Sequence, residues 1–276
     1  MVCRKVVCKV GYPPAETRGP KHPMAYPSLD PPFAAANVIS IRDLRAHCAT
    51  CSMRELCLPT GLGTDAMREL DSLVAARQRF AKGEPVFQSG DRFTALYAIR
   101  SGSCKTTVLS EGGREQVTGY HLMGDIIGFD GIGNGRHQCQ AVSLEDTEVC
   151  EVPFARLEEL SRQLPLLQRN LHRLLAREIT RDENLLLVVG SMRVEARVAT
   201  FLLSLSQRYR QRGYSSTEFV LRLTRKEIGS YLGMKLETVS RLLSRFQSKG
   251  LIKIENRVVR LLDLQALKAL ISEHDE

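Results

Sequence analysis

From Lys82 to Phe154 the apolar residues fall in short β-rich runs separated by glycine turns, the pattern of a small antiparallel sheet domain. The runs are Pro85 to Phe87, Ala95 to Ile99, Cys104 to Leu109, Gln116 to Leu122, Gln140 to Val142 and Glu148 to Val152. Turns fall at Ser89-Gly90, Ser101-Gly102, Gly112-Gly113, Gly124-Asp125 and Gly133-Asn134-Gly135. Strands at that spacing build a barrel or jelly roll. Upstream, Thr64 to Phe80 reads as one short helix with Leu70, Leu73 and Val74 on a face. Downstream the period changes. Pro165 suits a first helical turn, and Leu167, Leu171, Leu175, Ile179, Asp182, Leu186 and Val189 recur at steps of three and four, predicting a helix of more than twenty residues. A core-facing stripe gives the same spacing. The length, and Asp182 standing among apolar positions, point instead to a seam between two copies. Two such carboxylates about 4 Å apart repel by roughly 1 to 4 kcal/mol at effective dielectrics of about 80 to 20, which keeps the pair marginal.

The last part of the chain opens with a helix from Val194 to Gln207 and a strand from Phe219 to Leu223. Thr224-Arg-Lys-Glu227 is a capping box, in which hydroxyl and carboxylate satisfy orphan N–H groups at a helix start. That helix buries Ile228, Tyr231 and Leu232 and stops at Gly233. After Gly233-Met234-Lys235 a second helix runs from Leu236 to Gln247, with Val239, Leu242, Leu243 and Phe246 inward, which is helix-turn-helix spacing. Lys235 stands at its N-cap, where Ser or Thr would stabilise the start. Leu251 to Ile254 and Val258 to Leu261, joined through Asn256, make a two-stranded wing.

Charge adds a partner to this outline. Residues 192–262 hold fifteen Lys and Arg against five Glu, a larger positive balance than the +8 of the whole chain, so nucleic acid is the expected partner. On the second helix Glu237, Ser240 and Arg241 share an outward face near the N-terminus, where a recognition helix meets base edges. Arg pairs with guanine O6 and N7, and Glu accepts from cytosine N4. A Glu and Arg at i,i+4 are also common on any solvated helix.

Residues 1 to about 40 carry seven of the eleven prolines and no hydrophobic period, so a flexible extension is expected there, with Cys3 and Cys8 as ordinary exposed thiols. No run approaches the twenty or so apolar residues of a membrane helix. The chemistry concentrates in His47-Cys48-Ala-Thr-Cys51-Ser-Met-Arg-Glu-Leu-Cys57, a Cys-x2-Cys-x5-Cys spacing that asks for a metal and a fourth ligand from elsewhere. Spacing alone leaves structural zinc and an iron-sulfur cluster equally open. No His or acid is paired to a Cys by motif, so no enzyme is expected.

Taken together, the Cys segment, Ala95-Leu-Tyr-Ala-Ile-Arg-Ser-Gly102, Gly119-Tyr-His-Leu-Met-Gly-Asp-Ile-Ile-Gly-Phe129, Val149-Cys150-Glu-Val-Pro-Phe154 and Leu236-Glu-Thr-Val-Ser-Arg-Leu-Leu-Ser-Arg-Phe-Gln247 resemble the FNR (fumarate and nitrate reduction) regulators, the oxygen-sensing branch of the CRP/FNR transcription factors. The resemblance implies an α+β chain: a Pro-rich extension (1–46), a cluster segment (47–60), a β-roll sensor domain like those that bind cyclic nucleotides (61–164), a dimerisation helix (165–190) and a winged helix-turn-helix domain (191–276). It implies a 4Fe-4S cluster on Cys48, Cys51, Cys57 and Cys150, a homodimer with Ile179 and Asp182 at its seam, and palindromic TTGAT-type DNA read by Glu237, Ser240 and Arg241. Cys104 and Cys139 match no ligand position and are expected as buried apolar fillers. The loop from Gly131 to Gln138 carries Arg136 without the Glu and the Ser or Thr of cyclic-nucleotide relatives, so no cyclic nucleotide is expected. Glu111 to Glu115 resembles a loop that touches RNA polymerase, with Arg114 where an acidic residue is usual. The implied protein is cytoplasmic. A zinc-stapled or thiol-redox regulator of the same fold is the alternative.

Overall fold

Residues 48–74, 76–110 and 112–272 are described by a computed structural model and fall in one unit, Leu44–Glu276. The expected extension, with Cys3 and Cys8, lies outside the described residues, as does His47 of the expected cluster segment. The first domain is built on two four-stranded antiparallel sheets. One orders β1 (Ala76–Phe80), β8 (Thr147–Pro153), β3 (Ala95–Ser101) and β6 (Ile126–Ile127); the other orders β2 (Pro85–Phe87), β7 (Gln140–Ser143), β4 (Ser103–Leu109) and β5 (Glu115–Leu122). Phe87, Ala141 and Cys104 from one sheet share a core with Ile99, Ile127 and Val149 from the other, which makes the pair a β-roll. Alternation sets the faces: Val149 points into the roll, while Cys150 and Val152 join the cluster on the outer side of the first sheet.

The outer side is covered by α1 (Thr64–Leu73), α2 (Phe154–Gln163) and the start of α3 (Pro165–Ser191). The helix expected over Thr64 to Phe80 therefore ends at Leu73, and Ala76–Phe80 is a strand. Its charged side chains account for the difference, because Arg77 and Arg79 reach Glu148 across the β1–β8 ladder at 3.8 and 3.3 Å. Leu164, held extended before Pro165, separates α2 from α3.

The expected seam divides in two. Leu167 and Leu171 are buried with Leu70, Leu96 and Leu157, so they belong to the apolar cluster on the outer side of the first sheet. Beyond Leu175 the helix leaves that cluster, and Ile179, Leu186 and Leu187 stand 59%, 73% and 55% exposed.

The second domain comprises α4 (Val194–Gln211), β9 (Glu218–Val220), α5 (Arg225–Tyr231), α6 (Leu236–Ser248), the hairpin β10 (Ile252–Glu255) and β11 (Val258–Leu261), and α7 (Leu264–Ser272). The strand expected from Phe219 to Leu223 is shorter, because the chain turns after Val220 toward the cap at Thr224. The cap forms as the sequence predicts: Glu227 N–H donates to the Thr224 hydroxyl at 3.2 Å and Thr224 N–H donates to the Glu227 carboxylate at 2.7 Å. A Cβ at Gly229 would lie 2.6 Å from the Met234 carbonyl, so only glycine lets α5 sit this close to the turn. Tyr120, Leu122 and Leu144 of the roll share one core with Leu202, Ile228 and Leu232, so one apolar cluster joins the two domains.

Candidate metal centre and nucleic-acid interface

The Cys segment lies on the outer face of the first sheet as two turns of 3-10 helix, Cys48–Thr50 and Arg54–Leu56. Its ends are fastened to neighbouring helices. Cys48 N–H donates to the Asp71 carboxylate of α1, and the Asn170 amide of α3 donates to the Leu58 and Thr60 carbonyls, each at 2.8 Å. Arg177, two turns further along α3, donates to the Leu56 carbonyl at 3.4 Å.

So fastened, Cys48, Cys51 and Cys57 line one pocket with Cys150 of β8, and its remaining walls are mainly apolar, including Leu58, Leu70, Ala98, Ile99 and Val152. Burial pushes the Cys57 thiol up to about 12. It also raises Cys48, helped by Asp71, and raises Cys150 against the pull of Arg100 and Arg77. These three thiols are neutral near pH 7 and would release protons on taking up a metal. Among the described residues, no three His, Cys, Asp or Glu side chains form a group able to hold one metal ion. The donor set is nonetheless four sulfurs around one pocket, which fits an iron-sulfur cluster, where each thiolate holds a separate iron. Cys104 and Cys139 are buried inside the roll, away from this pocket.

The same pocket touches a turn that reaches the DNA-binding domain. Gly124 lines it with φ +86°, and a Cβ there would lie 3.2 Å from Leu56 Cβ. The next residue, Asp125, is ion-paired to Arg208 and Arg212 of α4 at 2.7 Å each and to Arg181 of α3 at 3.5 Å. Arg208 also donates to the Tyr120 carbonyl at 2.7 Å and Arg212 to that of Met123 at 2.6 Å. Elsewhere in this contact Lys105 pairs with Glu227 at 2.9 Å, and Val117 N–H donates to the Ser230 hydroxyl at 2.9 Å. Asn170, Gly124 and Asp125 were not legible as site residues. The available signal was one Asn amid the inward leucines of α3 and one Asp after a turn glycine.

On α6, Val239, Leu242, Leu243 and Phe246 are buried, which turns Glu237 and Arg241 outward and leaves Ser240 half-buried. Arg245 is held by Glu195 at 3.0 Å, whereas Glu237 and Arg241 have no hydrogen-bond or ion-pair partner among the described residues. Lys235 provides no side-chain cap, as the sequence predicts.

A β-roll joined by a long helix to a winged helix-turn-helix with unpaired polar side chains on its second helix defines a DNA-binding transcription regulator. The cyclic nucleotide-binding domain family matches residues 77–163 and the Crp-like helix-turn-helix domain family matches residues 196–270. The chain is 49% identical to a transcriptional regulatory protein of Bordetella pertussis, over 83% of this chain and 94% of that protein. It is 42% identical to the fumarate and nitrate reduction regulatory protein of Escherichia coli, over 81% of this chain and 90% of that one. The structure of FixK2 from Bradyrhizobium japonicum superposes with a TM-score of 0.66 at 30% identity, over 72% of this chain and 98% of that one. The chain belongs to the CRP/FNR family of transcription regulators. Among the described residues, no helix is long and apolar enough to cross a membrane.

Proposed function

We propose that the protein is an oxygen-responsive regulator of the FNR type, working in the cytoplasm, with Cys48, Cys51, Cys57 and Cys150 holding a 4Fe-4S cluster. The observation that carries this reading is that all four thiols line one pocket although Cys150 lies far along the chain from the other three. When bound, such a cluster supplies thiolate-held iron that oxygen can attack, and a rigid tie between the segment and the roll. The chain's own residues then carry the state of the pocket outward. Asn170 and Arg177 fasten the segment to α3, and the Gly124-Asp125 turn connects the pocket wall to α3 and α4. An anaerobic visible spectrum with iron and sulfide assays tests the reading. A broad iron-thiolate band with both elements present is expected; a colourless zinc protein or one without metal would reject it.

The exposed Ile179, Leu186 and Leu187 support a homodimer seam on the outer half of α3, since contiguous apolar exposure of this kind marks an association surface. Asp182 is exposed on the same stretch, and it would meet its own copy across a two-fold axis. Its replacement, Asp182→Ala, is expected to shift the cluster-free protein toward dimer by roughly 1 to 4 kcal/mol, the repulsion removed. Sedimentation of that variant checks this, and a purely monomeric profile would contradict it.

Two recognition helices about one DNA turn apart suit a palindrome of TTGAT-type half-sites, with Glu237, Ser240 and Arg241 at the bases. Arg241→Ala is expected to lose about 1 to 3 kcal/mol of preference at one guanine. Anisotropy titrations over single-base variants of the site measure it, and an unaltered preference at every position would remove Arg241 from the readout. Arg136, the one cation in the loop from Gly131 to Gln138, donates to the Gly90 carbonyl at 2.7 Å, which supports a roll that takes no cyclic nucleotide. The loop around Arg114 would face RNA polymerase.

A further inference from the structure

The cleft between α3 and α4 is a second cavity, of about 530 Å³, within the range of small-molecule sites. Arg173, Arg177, Arg181 and Arg208 line it, and no Asp or Glu among the described residues does. Arg181 and Arg208 are partly occupied by Asp125. Arg173 is not: among the described residues its Nε and Nη2 are buried without a hydrogen-bond partner, as is Arg208 Nε. Burying donors of a charged group unpaired is costly, and placing Arg173 and Arg177 at i,i+4 adds like-charge repulsion. A solvated face needs neither arrangement, and a bound anion would relieve both costs.

Helical geometry keeps the cleft open in a dimer. At about 100° per residue, Arg173, Arg177 and Asn184 fall on the side of α3 opposite Ile179, Asp182 and Leu186. A seam on the latter face leaves the arginines uncovered. None of the four candidate cysteine ligands lines the cleft, but Arg177 also donates to the Leu56 carbonyl of the cysteine segment, so the cleft and that segment share one side chain.

We propose that this cleft binds a small molecule carrying two phosphate groups, gripped by Arg173 and Arg177 on α3 and by Arg208 on α4. Guanidinium forks match phosphate oxygens bidentately, and three of them around one cavity suit more than one such group. A ligand held this way bridges the helix that carries the seam to the first helix of the DNA-binding domain, so it tightens the joint between sensor and reader.

Calorimetric titration of the anaerobically prepared full chain with fructose 1,6-bisphosphate, used as the probe, tests the proposal. Saturable binding of one probe per chain is expected, weakened by about tenfold or more in Arg173→Ala. Because Arg173 has no bonded partner to lose among the described residues, and its unpaired donors are costly to bury, that variant should unfold no lower than the wild type. Absence of saturable heat would overturn the proposal. So would an unchanged affinity in Arg173→Ala, which would put the probe elsewhere on the basic surface, or a clear drop in its unfolding temperature, which would make Arg173 a structural group.

Discussion

Replacing Cys150 by alanine is expected to yield a folded protein that, prepared without air, holds no iron or sulfide and has lost about 10³-fold or more of its affinity for a palindromic operator. The size follows from the gap between specific and non-specific DNA binding, since the loss removes the paired grip rather than one contact. Cys150 sits at the surface of the first sheet rather than inside the roll, so the substitution removes a donor without opening a core. Cys104→Ala is the control. It removes a buried thiol of the roll's interior, which lowers stability modestly and leaves iron content unchanged. Iron and sulfide assays on the two variants side by side check this, and retained iron in Cys150→Ala would exclude Cys150 as a ligand.

Asp125→Ala is expected to lower stability by about 3 to 5 kcal/mol at neutral pH, because it leaves the guanidinium groups of Arg208 and Arg212 buried without their shared anion, while Arg181 keeps Glu178 at 2.8 Å. Urea unfolding measures the loss, and a change under about 1 kcal/mol would show that the turn does not hold the domains together. A pH series adds a second reading. Burial pushes the Asp125 carboxyl up, but Arg208, Arg181 and Arg212 together hold it well below the usual carboxylate range. A group depressed in the folded state stabilises fully above its unfolded value, near 3.8, and loses that contribution as pH falls toward the folded one. The wild type should therefore lose more stability in acid than Asp125→Asn, starting from a higher value near neutrality.

The strands of the roll were legible because alternation and glycine turns report a half-buried sheet directly, and α5 and α6 because a capping box and an apolar period fall in sequence. Ala76–Phe80 was not. Arg-Gln-Arg shows no apolar alternation, and what makes it a strand is its pairing with β8 and the ion pairs to Glu148, which are contacts across the fold. Leu167 and Leu171 illustrate the same limit from the other side: a helical stripe does not state which partner buries each position, and the outer face of the first sheet takes the first two turns of α3. The spacing of Cys48, Cys51 and Cys57 marked the candidate metal segment, while Cys150 came from resemblance alone. Their meeting at one pocket depends on register, with Cys150 set between Ala98 and Arg77 in the sheet. Asp125, which joins three arginines from two helices, carried no local mark beyond its turn.

The central claim is that four cysteines close on one iron-bearing site whose integrity decides whether two chains engage DNA together. It is tested most directly by sedimentation of one anaerobic sample with a palindromic operator, before and after exposure to air, with iron measured in each fraction. Two chains per operator with iron before air, and loss of both the complex and the iron after it, is the expected result. Two chains per operator in a fraction without iron would contradict the claim.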